Sequence, residues 1–400
     1  MNVNFAVATL LVALVVTLTL VLSRRRRAFE DAIRAWHVKH PLGPDGIIPG
    51  AAPIACDAGE RAVVLLHGFG DTPQTLERLA RALHARGWTV RAPLLPGHGR
   101  TLESFHASRG DQWTAAARDA FERLRAAHAT VAIVGLSMGG ALATSLAAAV
   151  GDRAVTLVLL APFLEVAPSG RILTAAWPVW SLWRAWVPGD AAAAIHDPVA
   201  RRESLGYGVS SPRALRELRG IVDAASSAAR QLHIPTLVMH SRTDYRISVA
   251  AAERGYAKLG ATTKRLQWVE HSGHVITVDR DANEVIAAVV DWLEQHAPSR
   301  AVAPTAAPSP DASPDASADA SAGASLHFEY YSHFRVNISH QQRWHNHHRI
   351  FEYQPGCDPA GQHQRLSGDS HRRQRLSNQL STPKRVVSQQ RYQHRESGVL

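Results

Sequence analysis

Cysteine is almost absent from this 400-residue chain; Cys56 and Cys357 are the only two. So widely separated a pair makes neither a disulfide framework nor a metal-binding spacing. Most of the chain also lacks any excess of positive charge. The formal net charge is +10, but Arg24 to Arg27 and the segment from Ser325 to Leu400 carry all of it. The rest is neutral, so nothing draws the body of the protein to a phosphate backbone and no nucleic-acid partner is expected. Strands are missing from Pro162 to Ile234, which reads as helical and Trp-rich. Positive charge is missing before the first apolar run, and no small-residue cleavage site follows it at once. That order of features argues for an uncleaved anchor over a removable signal peptide.

The run itself, Phe5 to Leu22, contains no charge and has threonine as its only polar residue type. It lies at the short end of what spans a bilayer. The organisation expected is an anchor with its basic flank over 1–27 and a Pro- and Gly-rich linker over 28–52. A catalytic domain over 53–296 follows, with a lid at about 163–233, and then a disordered tail over 297–400. The tail opens on Ala, Pro, Ser and Asp, which cannot bury a core, and ends rich in His, Gln and Arg. His345, His347 and His348 lack the Cys or carboxylate spacing of a metal site, so no metal is expected.

Between these ends, strands and helices alternate. AVVLLH (62–67), WTVRAP (88–93), VAIVGL (131–136), VTLVLLA (155–161), TLVMH (236–240) and KRLQWVE (264–270) read as strands. Helices are expected over 73–86, 111–128, 138–150, 249–259 and 282–296. Continuous apolar strands separated by helices predict an α/β fold, a mostly parallel sheet covered on both faces. In the insertion Trp177, Trp180, Trp183 and Trp186 recur every three residues. On one helix they would form a stripe packing the lid onto the body, although Pro178 sits inside it.

Gly135-Leu136-Ser137-Met138-Gly139 is a G-x-S-x-G motif between a strand and a helix, the context the motif requires. The turn is tight enough to demand small neighbours, and it holds a serine Oγ at a helix N-terminus, where developing negative charge is favoured. A serine needs a base, and this strand–helix arrangement supplies acid and then base further along the chain. Asp244 follows the strand TLVMH and fits the acid; Asp223 and Asp279 break the expected order. His274, in HSGH, fits the base, with His271 as its competitor. The oxyanion donors expected are the N–H of Met138 and the N–H of Phe69, in the loop His67-Gly68-Phe69-Gly70. His67 and His98 are expected to shape loops without moving protons.

The motifs GERAVVLLHGFGDTP, APLLPGHG, AIVGLSMGG, SRTD and SGHVITVD resemble the small bacterial carboxylesterases and monoacylglycerol lipases of the α/β-hydrolase family. The resemblance spans roughly Pro53 to His296. It implies an α/β-hydrolase fold with a small helical lid and the catalytic set Ser137, Asp244 and His274, since the His of SGHVITVD is that family's base. It also implies medium-chain or monoacylglycerol ester substrates; no cofactor is expected. The chain departs from the family in its anchor, in its tail and in Tyr245-Arg246-Ile247-Ser248 after the acid. Thioester or amide cleavage on the same fold, and a non-catalytic membrane-tethered interaction protein, are the alternative functions. With arginines only after the span, the catalytic domain is expected in the cytoplasm.

Overall fold

The computed structural model describes residues 3–189 and 194–297. In chain order the elements are α1 (Val3–Lys39), β1 (Ile54–Cys56), β2 (Arg61–Leu66), α2 (Glu77–His84), β3 (Trp88–Ala92), α3 (Leu102–Ala107), α4 (Gly110–Ala127), β4 (Thr130–Leu136), α5 (Met138–Val150) and β5 (Leu157–Leu160). The insertion contributes α6 (Pro168–Ala175), α7 (Trp177–Trp180), β6 (Val187–Pro188), α8 (Pro198–Glu203), β7 (Val209–Ser210) and α9 (Pro212–Ala228). The chain then returns through β8 (Thr236–Ser241), α10 (Val249–Lys258), β9 (Lys264–Val269) and α11 (Ala282–His296).

Seven strands form one sheet in the order β1-β3-β2-β4-β5-β8-β9. All neighbours run parallel except β1 against β3. The chain moves outward from β2 to β3 and then crosses to β4 on the other side of β2. That reversal opens a crevice beyond the carboxyl ends of β2 and β4, where open α/β sheets bind ligands. One face of the sheet is covered by α4, α5 and α9, around Trp113, Phe121, Leu142 and Val222. The other is covered by α2 and α11, around Leu79, Leu83, Val289 and Trp292. Both layers bury apolar side chains from alternate strand positions, which is why the strands are apolar throughout.

Three expectations need correction. The first helix does not end at the arginines but runs through residues expected to be linker. Between Ala28 and Lys39 there is no Gly or Pro to stop it, Arg26 pairs with Glu30 one turn on, and the first proline is Pro41. Its last turns also gain packing, because Trp36 is buried with Phe105 and Tyr207 in a third apolar cluster. The insertion is not free of strands: β6 and β7 pair antiparallel, each only two residues long and below what a pattern reveals. The tryptophans do not share one helix. Pro178 sits in the first turn of α7, which ends at Trp180. Trp186 stacks on Phe29 of α1 and Trp183 is exposed. Of the tail expected over 297–400, Ala297 is buried in the core beside α11, and the rest lies outside the described residues.

Candidate active site

Ser137 stands between β4 and α5 with φ 55° and ψ −114°, a left-handed conformation that costs a non-glycine residue energy. Neighbouring structure enforces it. The Ser137 N–H donates to Leu160 O at 2.9 Å, and Ser137 O accepts from the N–H of Phe163 and of Ala141. The flanking glycines are required by contact. A Cβ on Gly135 would lie 2.2 Å from Gly139 O, and one on Gly139 would lie 2.0 Å from Leu66 O. No side chain fits at either position, so the G-x-S-x-G spacing follows from the close approach of α5 to β2 and β4.

The register of the last two strands brings the other polar groups here. Ser241 pairs with Val269 at the ends of β8 and β9, so the loops that follow lie side by side. His274 Nε2 lies 2.8 Å from Ser137 Oγ, and His274 Nδ1 lies 2.7 Å from Asp244 Oδ2. In the tautomer this network requires, Nδ1–H donates to the carboxylate and the bare Nε2 accepts from the hydroxyl. The other Asp244 oxygen accepts from the N–H groups of Arg246 and Ile247, at 2.8 and 3.0 Å. Burial opposes the charge on Asp244, but His274 and these hydrogen bonds outweigh it and hold its carboxyl below the usual range.

The competing residues fall elsewhere. His271 is 71% exposed at its side chain and lies 3.4 Å from Asp281. Asp223 lies on α9 and pairs with Arg171 and Arg219. Asp279 is buried and accepts four backbone N–H groups: those of His196 and Gly273 at one oxygen, and those of Asp197 and Arg280 at the other. It thereby ties the returning insertion to the residue just before His274. His67 accepts from the Leu95 N–H at Nε2 and donates from Nδ1 to Gly68 O, fixing its loop. Its burial first, and then His98, push its pKa far down, so it stays neutral. His98 is likewise buried, which lowers its pKa to about 4.

The loop after β2 lies against the serine: a Cβ on Gly68 would sit 3.6 Å from Ser137 Cβ. Phe69 and Ser137 both line a cleft of about 440 Å3. Met138 opens α5, where no helical carbonyl is available to its N–H. The cleft is largely apolar, with Phe163, Ile195, Val209, Leu218 and Val275 among its walls, and the insertion supplies much of it.

Two carboxyl-side features escaped sequence reading. Asp71 lines the cleft one residue past Gly70, accepting from the Thr72 N–H and the Thr75 hydroxyl; its burial raises its pKa to about 6. His240, fully buried at the end of β8, bonds Ile247 O at 3.0 Å and lies 3.4 Å from Asp244. His240 lies at the C-terminal end of β8 and Asp71 in the loop that follows β2, both on the side of the sheet where ligands bind, a placement that could have flagged them.

Sequence and fold both have counterparts among known proteins. The chain is 25% identical over 244 residues to a carboxylesterase of Bacillus subtilis (strain 168), covering 61% of this chain and 96% of that protein. It is 24% identical over 257 residues to a thermostable monoacylglycerol lipase of Bacillus sp. (strain H-257), covering 63% and 97%. A solved structure from a study of the metagenome-derived lipolytic enzymes LipS and LipT superposes with a TM-score of 0.58 at 29% identity, over 62% of this chain and all of that one. The family model described as serine aminopeptidase, S33, matches residues 58–281, more than half of the chain. The chain belongs to this serine aminopeptidase S33 family and is an ester-hydrolysing enzyme of the α/β-hydrolase fold.

Proposed function

We propose that the protein is a membrane-anchored carboxylesterase that cleaves medium-chain or monoacylglycerol esters through Ser137, His274 and Asp244. The observation that carries this reading is the continuous relay Ser137 Oγ, His274 Nε2, His274 Nδ1, Asp244 Oδ2, with links of 2.8 and 2.7 Å. Ser137 Oγ attacks the ester carbonyl while His274 Nε2 takes its proton, and Asp244 stabilises the imidazolium that forms. The carbonyl oxygen becomes an oxyanion held by the N–H groups of Phe69 and Met138. Collapse breaks the ester bond, and His274 returns the proton to the leaving alcohol. Water then attacks the acyl-serine with His274 as base, releasing the fatty acid. The apolar walls of the cleft favour an acyl chain as its occupant.

Among the described residues, one helix is long and apolar enough to cross a membrane. The four arginines after its apolar run favour a cytoplasmic catalytic domain. Turnover of p-nitrophenyl esters of graded chain length, beside monoacylglycerols and acyl-thioesters, tests the substrate class. A maximum at medium chains or at monoacylglycerol is expected, and a clear preference for thioesters contradicts the reading. Alkaline phosphatase fused after Trp36 tests the orientation, because the reporter is active only outside the cytoplasm; high activity contradicts it.

A further inference from the structure

The apolar side chains of α1 from Val7 to Leu20 are all exposed, whereas the turns after the arginines lie on the body. Phe29 stacks on Trp186 of the insertion with ring centroids 5.0 Å apart, and Phe29 also meets His106. Trp36 packs on Tyr207, 5.0 Å away. The helix is therefore fixed to the insertion within its first turns beyond the apolar run. Phe29 lies seven residues past Leu22, about 10 Å along a helix rising ~1.5 Å per residue. If the run crosses a bilayer, this part of the insertion sits at the depth of the lipid headgroups.

The surface it presents there suits that position. Neither α6 nor α7 buries a single side chain. Ile172 is 71% exposed, Val179 59% and Trp183 62%, with Leu173 also exposed. From Val166 to Gly189 there is no Asp or Glu, and only Arg171 and Arg184 are charged. Exposed apolar surface of this extent marks an interaction site. Basic groups border it. Arg216 stacks on Trp177, and Arg213 lies one turn earlier on α9. Arginines around protruding apolar and tryptophan side chains are what an anionic lipid surface binds.

We infer that α6 and α7 form a second membrane contact, docked on the anionic face of the same bilayer that α1 enters. Pro188, Gly189, Val209 and Ser210, from the same insertion, line the cleft, so docking of the insertion would bring the cleft toward the lipid. An acyl substrate then passes from leaflet to Ser137 without crossing bulk water. This rests on the proposed reading of α1 as a membrane span, and the test separates the two.

The full chain is placed in nanodiscs of phosphatidylcholine and phosphatidylglycerol, with a benzoylphenylalanine photoprobe at Val179 or Trp183. Leu14, in the apolar run, serves as the lipid-facing control, and exposed Asp291 on α11 as the aqueous one. Lipid adducts at 179 and 183 should approach those at 14 and exceed those at 291 by about tenfold, as for side chains seated among lipid headgroups. Adducts at 179 and 183 no greater than at 291, with strong labelling at 14, overturn the docking and leave the span intact. Adducts to a second copy of the chain overturn it equally. Failure at 14 as well removes the span and the docking together. Independently, the double variant Ile172→Ser, Val179→Ser should leave p-nitrophenyl acetate turnover unchanged. It should slow turnover of monoacylglycerol held in the nanodisc by roughly fivefold or more, the loss expected when apolar contact with the interface is removed. Equal turnover of the membrane-held substrate contradicts the proposal.

Discussion

Replacing Asp279 with asparagine distinguishes a structural clamp from a catalytic acid. Each Asp279 oxygen accepts two backbone N–H groups. Whichever oxygen becomes an amide nitrogen, two donors lose their acceptor and face another donor. At ~1–3 kcal/mol for each donor left unsatisfied, less where water reaches it, the loss is roughly 2–5 kcal/mol. For a domain of this size, that lowers the melting temperature by about 5–15 °C. Turnover should also fall, because Gly273 directly precedes His274 and a displacement of ~1 Å costs up to about a hundredfold. Asp244→Asn should do the reverse. Its remaining oxygen still accepts from Arg246 and Ile247, so melting changes little, while loss of the required imidazole tautomer costs on the order of 10⁴ in kcat. Thermal melting and p-nitrophenyl ester turnover on both variants decide the matter. An Asp279→Asn protein with unchanged melting refutes the clamp. If its turnover also falls as far as that of Asp244→Asn, Asp279 is the acid.

Gly139→Ala should abolish activity in any protein that still folds, because the new Cβ would meet Leu66 O at 2.0 Å and push the serine turn off its strands; retained turnover would contradict the packing. Asp71 carries a folded pKa of about 6 against an ordinary 3.8, raised by burial. At this residue the folded state therefore binds more protons than the unfolded state between those values, and the contribution of Asp71 to stability should fall as pH rises from about 4 to about 6, by roughly 3 kcal/mol at most. Asp71→Asn should flatten that decline in melting temperature, and an unaltered pH profile would show that another group causes it. Truncation after Ala297 should leave melting and esterase activity nearly unchanged, since the composition beyond it cannot bury a core; a large loss of either contradicts this.

Strands such as AVVLLH were legible because burial on both faces makes them apolar at every position. β1 was not, because three residues at an antiparallel edge carry no period. The continuation of α1 was misread because Pro and Gly are frequent only from Pro41 to Pro53, and averaging over 28–52 hid the helix-forming half. Ser137 was legible from the spacing of glycines that sterics impose and Asp244 from its position just after β8, whereas the choice of His274 over His271, both of which follow β9, leaned on the resemblance carried by SGHVITVD. Asp279 was visible only as a rival acid. Its partners His196 and Asp197 lie 83 and 82 residues away, and no local pattern reports so distant an acceptor. The Trp spacing of three suggested a helical stripe, but Pro178 starts a new helix within it, and Trp186 turns instead to α1.

Fluorophosphonate labelling of the full chain, followed by mapping of the modified residue, tests the central claim most directly. The reagent reacts only with an activated serine. The account predicts a single adduct on Ser137, none in Ser137→Ala, a rate about 10³–10⁴ lower in His274→Ala, and little change in His271→Ala. An adduct on another serine, or His271→Ala as damaging as His274→Ala, would contradict it.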